Sequence, residues 1–288
     1  MALPAKLQAD VNFRRGLAAA AGVSVLALAA IVIFLLSQAL PIFAHVSLKD
    51  FLFSTEWYPT DDPPVSGIGA LIAGSLACAA LTTLIAVPFG VLTACAIHAG
   101  MPPALTRIVK PLIELMAALP SVVIGFIGMI ILAPWLQDMF GIATGLNLFN
   151  ASIMLAFMCV PTIASISEDA LRNVPSGLRE ASLALGATRW ETLLKVELRW
   201  AMGGIATAVM LGISRVIGET MVVLMVAGGA AIIPESIFDP VRPMTSSIAA
   251  GGEHYHALYA TGLVLFIITF AFNLCAWYAA RRFGLEKK

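Results

Sequence analysis

The sequence predicts an all-α integral membrane protein with six transmembrane helices and both termini in the cytoplasm. Hydrophobic residues make up 60% of the 288-residue chain and charged residues only 12%, whereas a soluble domain carries about 25% charged residues. Apolar stretches of about 20 residues, the length that crosses a bilayer, recur along the chain. Basic residues are concentrated in alternate connections between these stretches. Together these features predict both the number of spans and their orientation.

The predicted spans are continuous apolar runs rich in Leu, Ala, Ile and Val. Strands of a membrane β-barrel would instead alternate in polarity over about ten residues. The first run is about 25 residues long, which exceeds the apolar region of a signal peptide, so we expect it to be retained as a helix. The six spans are predicted near Leu17–Phe43, Ile68–His98, Leu112–Leu136, Phe149–Ser165, Ala201–Ala231 and Ala257–Ala280.

The orientation follows from the basic residues. All but three of the 17 lysines and arginines lie at the termini or in the second and fourth connections. Lys49 and Arg242 fall in the opposite loops, and Arg215 lies within a span. Short cytoplasmic loops are enriched in Lys and Arg, so we predict that both termini and the 168–200 connection are cytoplasmic.

The first outer loop is acidic and aromatic, with Asp50, Glu56, Asp61 and Asp62 around the Trp-Tyr-Pro sequence at 57–59. The aromatic residues are consistent with a belt at the membrane interface. A docking surface for an external partner is the alternative, and the residues leave both open.

Arg215 and Glu219 are the charged residues of the fifth predicted span, 201–231. A charged side chain at the centre of a membrane helix costs about 2.5–3.5 kcal/mol on insertion scales. Their spacing of four would place them on one helical face, close enough to pair. A cation held in the membrane beside its own counter-ion predicts a path for a charged solute. A static ion pair between helices or subunits is the alternative.

The cytoplasmic segment 168–200 is too polar to cross the membrane, yet its leucines and alanines recur at helical spacing. The Pro-Ser sequence at 175–176 suits a helix start, and Gly186 suits a left-handed C-terminal cap because it lacks a Cβ. Thr188 and Glu191 have the spacing of a capping box. We predict two short amphipathic helices with a break at Gly186. A helical hairpin lying on the bilayer surface is the alternative.

This segment resembles the EAA loop in permease subunits of binding-protein-dependent ABC importers. The family pattern is E-A-A, three residues, glycine, nine residues and I-x-L-P, and the matching residues here are Glu180, Ala181, Ser182, Gly186, Val196 and Leu198. Ser182 and Val196 are mild departures, and Arg199 replaces the proline, which should make the start of the fifth helix less kinked. The resemblance extends from about Gly67 to Arg282 and implies a type I ABC importer permease fold.

Longer segments resemble the permeases of the phosphate-specific (Pst) ABC importer. They are ELMAALPSVVIGFIG (114–128), PTIASISEDALRNVP (161–175), REASLALGATRWET (179–192) and ISRVIGETMVVLMVAGG (213–229). The outer-loop Trp-Tyr-Pro and the R-x-x-G-E-T-M form resemble the PstC-type subunit more than the PstA-type. This resemblance implies inward transport of inorganic phosphate, with Arg215 and Glu219 on the translocation path.

The resemblance also implies a domain plan and a contact with an ATPase. Residues 1–66 would form the N-terminal segment, first helix and outer loop, 67–282 the permease transmembrane domain, and 283–288 a cytoplasmic tail. The loop would insert a coupling helix into a cleft of the ATPase through Arg179, Glu180, Ala181, Ser182, Gly186, Ala187 and Thr188.

The chain has no Gly-Lys dipeptide and therefore no phosphate-binding loop of the G-x-x-x-x-G-K-[ST] type. We therefore expect a non-catalytic subunit without a cofactor, with ATP and magnesium bound by the partner ATPase. The implied partners are an ATP-binding subunit dimer, a second homologous permease, an external phosphate-binding protein and phosphate itself. A formal net charge of zero gives no reason to expect nucleic acid.

Other residue types predict no further site. The cysteines lack metal-ligand spacing, His254 and His256 are expected at the surface, and Glu168 and Asp169 are expected to be solvated. The alternative functions are an importer of another oxyanion (molybdate, sulfate or phosphonate), a secondary anion transporter, or a membrane scaffold that transports nothing.

Overall fold

The computed structural model describes residues 5–58, 61, 65–252 and 255–282. Some residues named from the sequence lie outside this part of the chain, namely Pro59, Asp62, His254 and the predicted tail 283–288.

Within the described residues, six helical stretches are long and apolar enough to cross a membrane, which confirms the predicted number of spans. They are Phe13–Ala44, Gly69–Gly100, Ser121–Phe140, Leu148–Arg172, Arg189–Ile217 and Tyr255–Cys275. The fourth is the most buried and the first and last are the least. The fold therefore surrounds the fourth span, with the chain ends at its periphery.

The α-helices are α1 (Ala5–Ala39), α2 (Leu48–Phe53), α3 (Gly69–Cys95), α4 (Pro103–Ala117), α5 (Ser121–Ile127), α6 (Ala133–Phe140), α7 (Leu148–Arg172), α8 (Ser176–Ala184), α9 (Arg189–Thr192), α10 (Leu198–Ile217), α11 (Met221–Val226), α12 (Met244–Ala250) and α13 (Tyr255–Arg282). A 3₁₀-helix (Leu40–Ala44) follows α1, and π-helical segments (Ala96–Gly100, Gly128–Leu132 and Leu193–Glu197) continue α3, α5 and α9. The outer loop contains an antiparallel pair, β1 (Trp57–Tyr58) with β2 (Val65–Ser66).

The packing of α3 and α10 against α7 depends on small residues. Gly90 of α3 and Gly212 of α10 both lie against Ile163 of α7, so close that a Cβ at either glycine would overlap it. Small residues at helix contacts let membrane helices approach closely, which maximises van der Waals packing where lipid provides no hydrophobic driving force. These contacts fix the position of α10 relative to α7.

Gly212→Ala is expected to destabilise the protein. The added Cβ would lie 2.7 Å from Cys159 Sγ and 2.9 Å from Ile163 Cγ1, and overpacking of this kind costs about 1–3 kcal/mol. The measurement is thermal unfolding in detergent. Gly262→Ala is the matched control, because its Cβ would meet Leu35 Cδ2 at an ordinary 3.8 Å. Equal stability of the two variants would contradict this account of the packing.

The third predicted span, Leu112–Leu136, is wrong at its start. The helix α4 ends at Ala117. Pro120 is the residue immediately before α5, and its own backbone is extended (φ −61°, ψ 133°). Proline has no N–H and disfavours helical backbone in the residue before it, so the apolar run is divided at this position. Leu112 and Leu115 belong to α4, whose exposed leucines and isoleucines lie along one face.

The fifth predicted span, Ala201–Ala231, is wrong at both ends. The helix begins upstream at Arg189, continues through the π-helical segment into α10, and stops at Ile217. Residues 218–220 are not helical, and α11 then runs only to Val226. Beyond it, Gly228 (φ +93°) forms an isolated parallel bridge with Val241.

Candidate functional site

Arg215 lies in the last turn of α10, and its guanidinium is exposed. Its Nη1 donates a long hydrogen bond of 3.4 Å to Thr162 Oγ1 of α7. Among the residues that the structure describes, no carboxylate forms an ion pair with this guanidinium. The C-terminal end of a helix carries a partial negative charge that favours a cation, so α10 stabilises the arginine without occupying its donors.

Glu219 lies in the non-helical break between α10 and α11. Its Oε1 accepts a 3.5 Å hydrogen bond from the Val222 amide, and its backbone oxygen accepts a 2.8 Å hydrogen bond from Thr245 Oγ1. Because α10 ends at Ile217, the four-residue spacing no longer places Glu219 above Arg215. The expected pairing of these two residues is therefore wrong for this structure.

The two charges nevertheless border one shallow depression between α7 and α10. Its other lining residues are Leu155, Met158, Cys159 and Val216. A neighbouring polar contact joins Ser214 Oγ to Asn273 Oδ1 at 2.9 Å, which connects α10 to α13. Arg215 and Glu219 therefore line the same depression, and among the described residues they form no ion pair with each other.

The predicted coupling loop is confirmed in its secondary structure. Helix α8 ends at Ala184, and Gly186 adopts the left-handed conformation with φ +87°. The Gly186 amide donates to Leu183 O at 3.0 Å and the Ala187 amide donates to Ser182 O at 3.2 Å. These two bonds define a Schellman cap, which satisfies carbonyls that the helix end would leave free.

The capping box that opens α9 is also confirmed. Thr188 Oγ1 accepts from the Glu191 amide at 3.2 Å, and Glu191 Oε2 accepts from the Thr188 amide at 2.9 Å. The two caps fix the turn between α8 and α9 from both sides, so the loop is a structured element.

The loop has two faces. Glu180 and Ala181 are exposed, and Leu185 at the tip is 90% exposed. Ser182 points inward, where its Oγ lies 2.9 Å from Thr192 Oγ1. Arg179 also points inward and pairs with Glu197, which is buried. The outer face is therefore available for contact, while the inner face ties α8 to the helices beneath it.

Two residues of this inner face were not singled out from the sequence. Glu197 ends the π-helical segment 193–197, and His98 lies in the π-helical segment that continues α3. Together with Arg179 and Arg189 they border a cavity of about 330 Å³. The sequence gives no distinct signal for this contact, because Glu197 lies between the basic residues Lys195 and Arg199.

Glu168 was expected to be solvated, and the structure corrects this. It is buried, and it accepts a 2.5 Å hydrogen bond from Lys110 Nζ of α4. Arg172 Nε lies 3.7 Å from its other oxygen. The hydrogen bond to Glu168 raises the pKa of Lys110. This pair ties α4 to the end of α7, whereas Asp169 remains exposed as expected.

The arrangement defines a membrane transport component, with a charged site between spans and a structured loop outside them. Residues 86–284 match the family described as binding-protein-dependent transport system inner membrane component. The chain belongs to this family and is a multi-pass membrane protein, which confirms the resemblance seen in the sequence.

Two relatives show which transport proteins within this family the chain is similar to. The chain is 39% identical to the probable ABC transporter permease protein YqgH of Bacillus subtilis, over 95% of this chain and 91% of the relative. It is 35% identical to the phosphate transport system permease protein PstC of Pasteurella multocida, over 77% and 78% of the two chains.

Solved structures support the same fold. A chain of a bacterial alginate ABC transporter superposes with a TM-score of 0.69 at 14% identity, over 96% of both chains. A chain of the MetNI methionine ABC transporter gives 0.56 at 22% identity, over 77% of this chain and 95% of that chain. At these identities the comparisons show the fold alone, and the predicted importer permease fold is confirmed.

Proposed function

We propose that this chain is the PstC-type permease subunit of an ABC importer that moves inorganic phosphate into the cell by ATP-driven alternating access. The observation that carries the proposal is that, among the described residues, no carboxylate forms an ion pair with the Arg215 guanidinium at the end of a membrane-spanning helix. Relatives named as PstC proteins at 31–35% identity support the choice of phosphate.

The chemistry of the site favours phosphate over other oxyanions. A planar guanidinium can donate two parallel hydrogen bonds to an oxyanion. Phosphate retains a proton near neutral pH, and a carboxylate that carries its negative charge can only accept hydrogen bonds. Glu219 would therefore accept the hydrogen bond of a protonated phosphate and repel sulfate or molybdate, which have no proton to donate. Its negative charge would also prevent tight trapping of the anion beside Arg215.

In this proposal the coupling loop transmits movement of the ATPase to the membrane spans. The exposed face of α8, with Glu180, Ala181 and the tip at Leu185, would contact an ATP-binding subunit. Closure of an ATPase dimer around ATP would move α8 and rock the spans between inward-facing and outward-facing states. ATP and magnesium would bind to that partner, and this chain would be non-catalytic. A second permease subunit and an external binding protein would complete the importer.

The proposal includes the orientation of the chain across the membrane. The distribution of basic residues supports a cytoplasmic location for both termini and the coupling loop. The loop containing β1 and β2 would then face outward, where a binding protein delivers the anion.

Uptake of labelled phosphate by cells that lack this gene tests the proposal. Reintroducing the wild-type chain is expected to restore uptake that stops when ATP is depleted and is inhibited by unlabelled phosphate, with no inhibition by sulfate or molybdate. In this proposal the Glu219 carboxylate, which lines the same depression as Arg215, would produce this selectivity. Restored uptake of sulfate or molybdate in place of phosphate would retain the family and contradict the substrate.

A further inference from the structure

An arginine, a glutamate and a histidine from three separate segments meet beneath the coupling loop. Arg179 of α8 pairs through Nε with Glu197 Oε1. Glu197 Oε2 lies 3.0 Å from His98 Nε2, and Arg179 Nη2 lies 2.8 Å from the same nitrogen. We call these residues the coupling triad. It joins the coupling helix to the ends of the second and fifth spans.

The side chains of two members of the triad are buried, whereas the Arg179 side chain is 43% exposed. The side chains of Glu197 and His98 are 3% and 7% exposed, and Arg179 covers them from the loop. A buried carboxylate that loses its partner costs far more than an exposed one, so Glu197 resists separation from the cations around it. Movement of α8 is therefore expected to be transmitted to the helices that carry Glu197 and His98.

The contacts of His98 give the triad two alternative arrangements. Its Nε2 either carries a proton and donates to Glu197, or carries a lone pair and accepts from Arg179. One nitrogen cannot satisfy both neighbours at the same time, although both lie within 3.0 Å. The adjoining cavity of about 330 Å³ leaves room for the side chains to change partners. An element with two discrete arrangements can carry coupling between distant sites.

The backbone under the triad has a matching feature. His98 and Glu197 both lie in π-helical segments, Ala96–Gly100 and Leu193–Glu197. A π-helical turn holds one residue more than an α-helical turn, and such turns occur frequently at functional sites. Both segments therefore allow a local change of helical register at the positions that hold the triad.

We propose that the coupling triad is the joint through which movement of the coupling helix drives the second and fifth spans. Its members are positioning residues, since none borders the depression at Arg215 and Glu219. The proposal rests on the proposed ATP-driven import but not on phosphate being the cargo.

The test uses the full importer, with its ATPase, second permease and binding protein, reconstituted in proteoliposomes. Glu197→Gln keeps the size of the side chain and removes its charge. We expect phosphate transported per ATP hydrolysed to fall about tenfold, while the complex stays assembled. Hydrolysis is also expected to lose its dependence on phosphate-loaded binding protein, a change that a merely structural role would not produce.

Lys195→Gln is the matched control, because it removes an exposed ion pair of 3.3 Å with Glu191 in the same segment. This variant is expected to keep the wild-type ratio of phosphate transported to ATP hydrolysed. A wild-type ratio of phosphate transported to ATP hydrolysed in Glu197→Gln would overturn the proposal that the triad transmits movement. An equal loss of transport and hydrolysis would overturn it as well. A wild-type complex that moved sulfate or molybdate would overturn the phosphate assignment instead, and the same ratio would then be measured with that anion.

Discussion

Replacing Arg215 with glutamine is expected to lower phosphate uptake about a hundredfold, since two hydrogen bonds to a charged group contribute about 3 kcal/mol. Glutamine retains polar atoms but neither the fixed charge nor the planar pair of donors. The measurement is the initial rate of labelled phosphate uptake in cells that express equal amounts of each variant. Arg215→Lys is expected to retain part of the rate, because it keeps the charge and loses the bidentate geometry.

Stability distinguishes this role from a structural one. Among the described residues, Arg215 forms no ion pair, and its guanidinium makes a long hydrogen bond to Thr162. The free energy of unfolding of the glutamine variant is therefore expected to lie within about 0.5 kcal/mol of the wild-type value. The same change at the exposed Arg107 of α4 is the control and should leave uptake unchanged. A large loss of stability in Arg215→Gln would instead indicate a residue that holds the fold.

Gly186→Pro is expected to abolish coupling to the ATPase. Proline fixes φ near −65° and has no N–H, whereas Gly186 has φ +87° and donates to Leu183 O. The substitution therefore removes the Schellman cap and redirects the chain between α8 and α9. We expect binding of the ATP-binding subunit, measured by co-purification, to fall about tenfold or more, since a residue forced into a backbone conformation that it cannot adopt costs about 1–3 kcal/mol.

Gly186→Asn is the matched control for this variant. No atom lies within 4 Å of the position that a Cβ would take at Gly186, so only the backbone conformation restricts the residue. Asparagine visits the left-handed region more readily than most residues, and we expect it to retain ATPase binding. Loss of binding in both variants would show that ATPase binding depends on the surface of the loop and not on the conformation of its turn.

Local signals explain how much of the structure was predictable. Gly186 and the Thr188–Glu191 spacing each specify one cap through the chemistry of a few adjacent residues, and both caps are present. The six spans follow from length and apolarity, because lipid requires every backbone polar group to be satisfied within the helix. Structural features that depend on residues adjacent in the sequence are therefore predicted correctly.

The helix break after Ile217 was not predictable in the same way. Gly218 is the residue at the helix end, but glycine is common within membrane helices, so it gives no distinct stop signal. The expected pairing of Arg215 with Glu219 depended on an uninterrupted helix and failed with it. The contact between His98 and Glu197 spans 99 residues of sequence, and only the packing of α3 against α10 brings them together.

The measurement that tests the central claim most directly is accumulation of labelled phosphate in proteoliposomes that contain the purified importer, with ATP inside and binding protein outside. We predict accumulation above the external concentration with ATP, none with a non-hydrolysable analogue, and none when this chain carries Arg215→Gln. Accumulation that ignores ATP, or that Arg215→Gln leaves unchanged, would contradict the account.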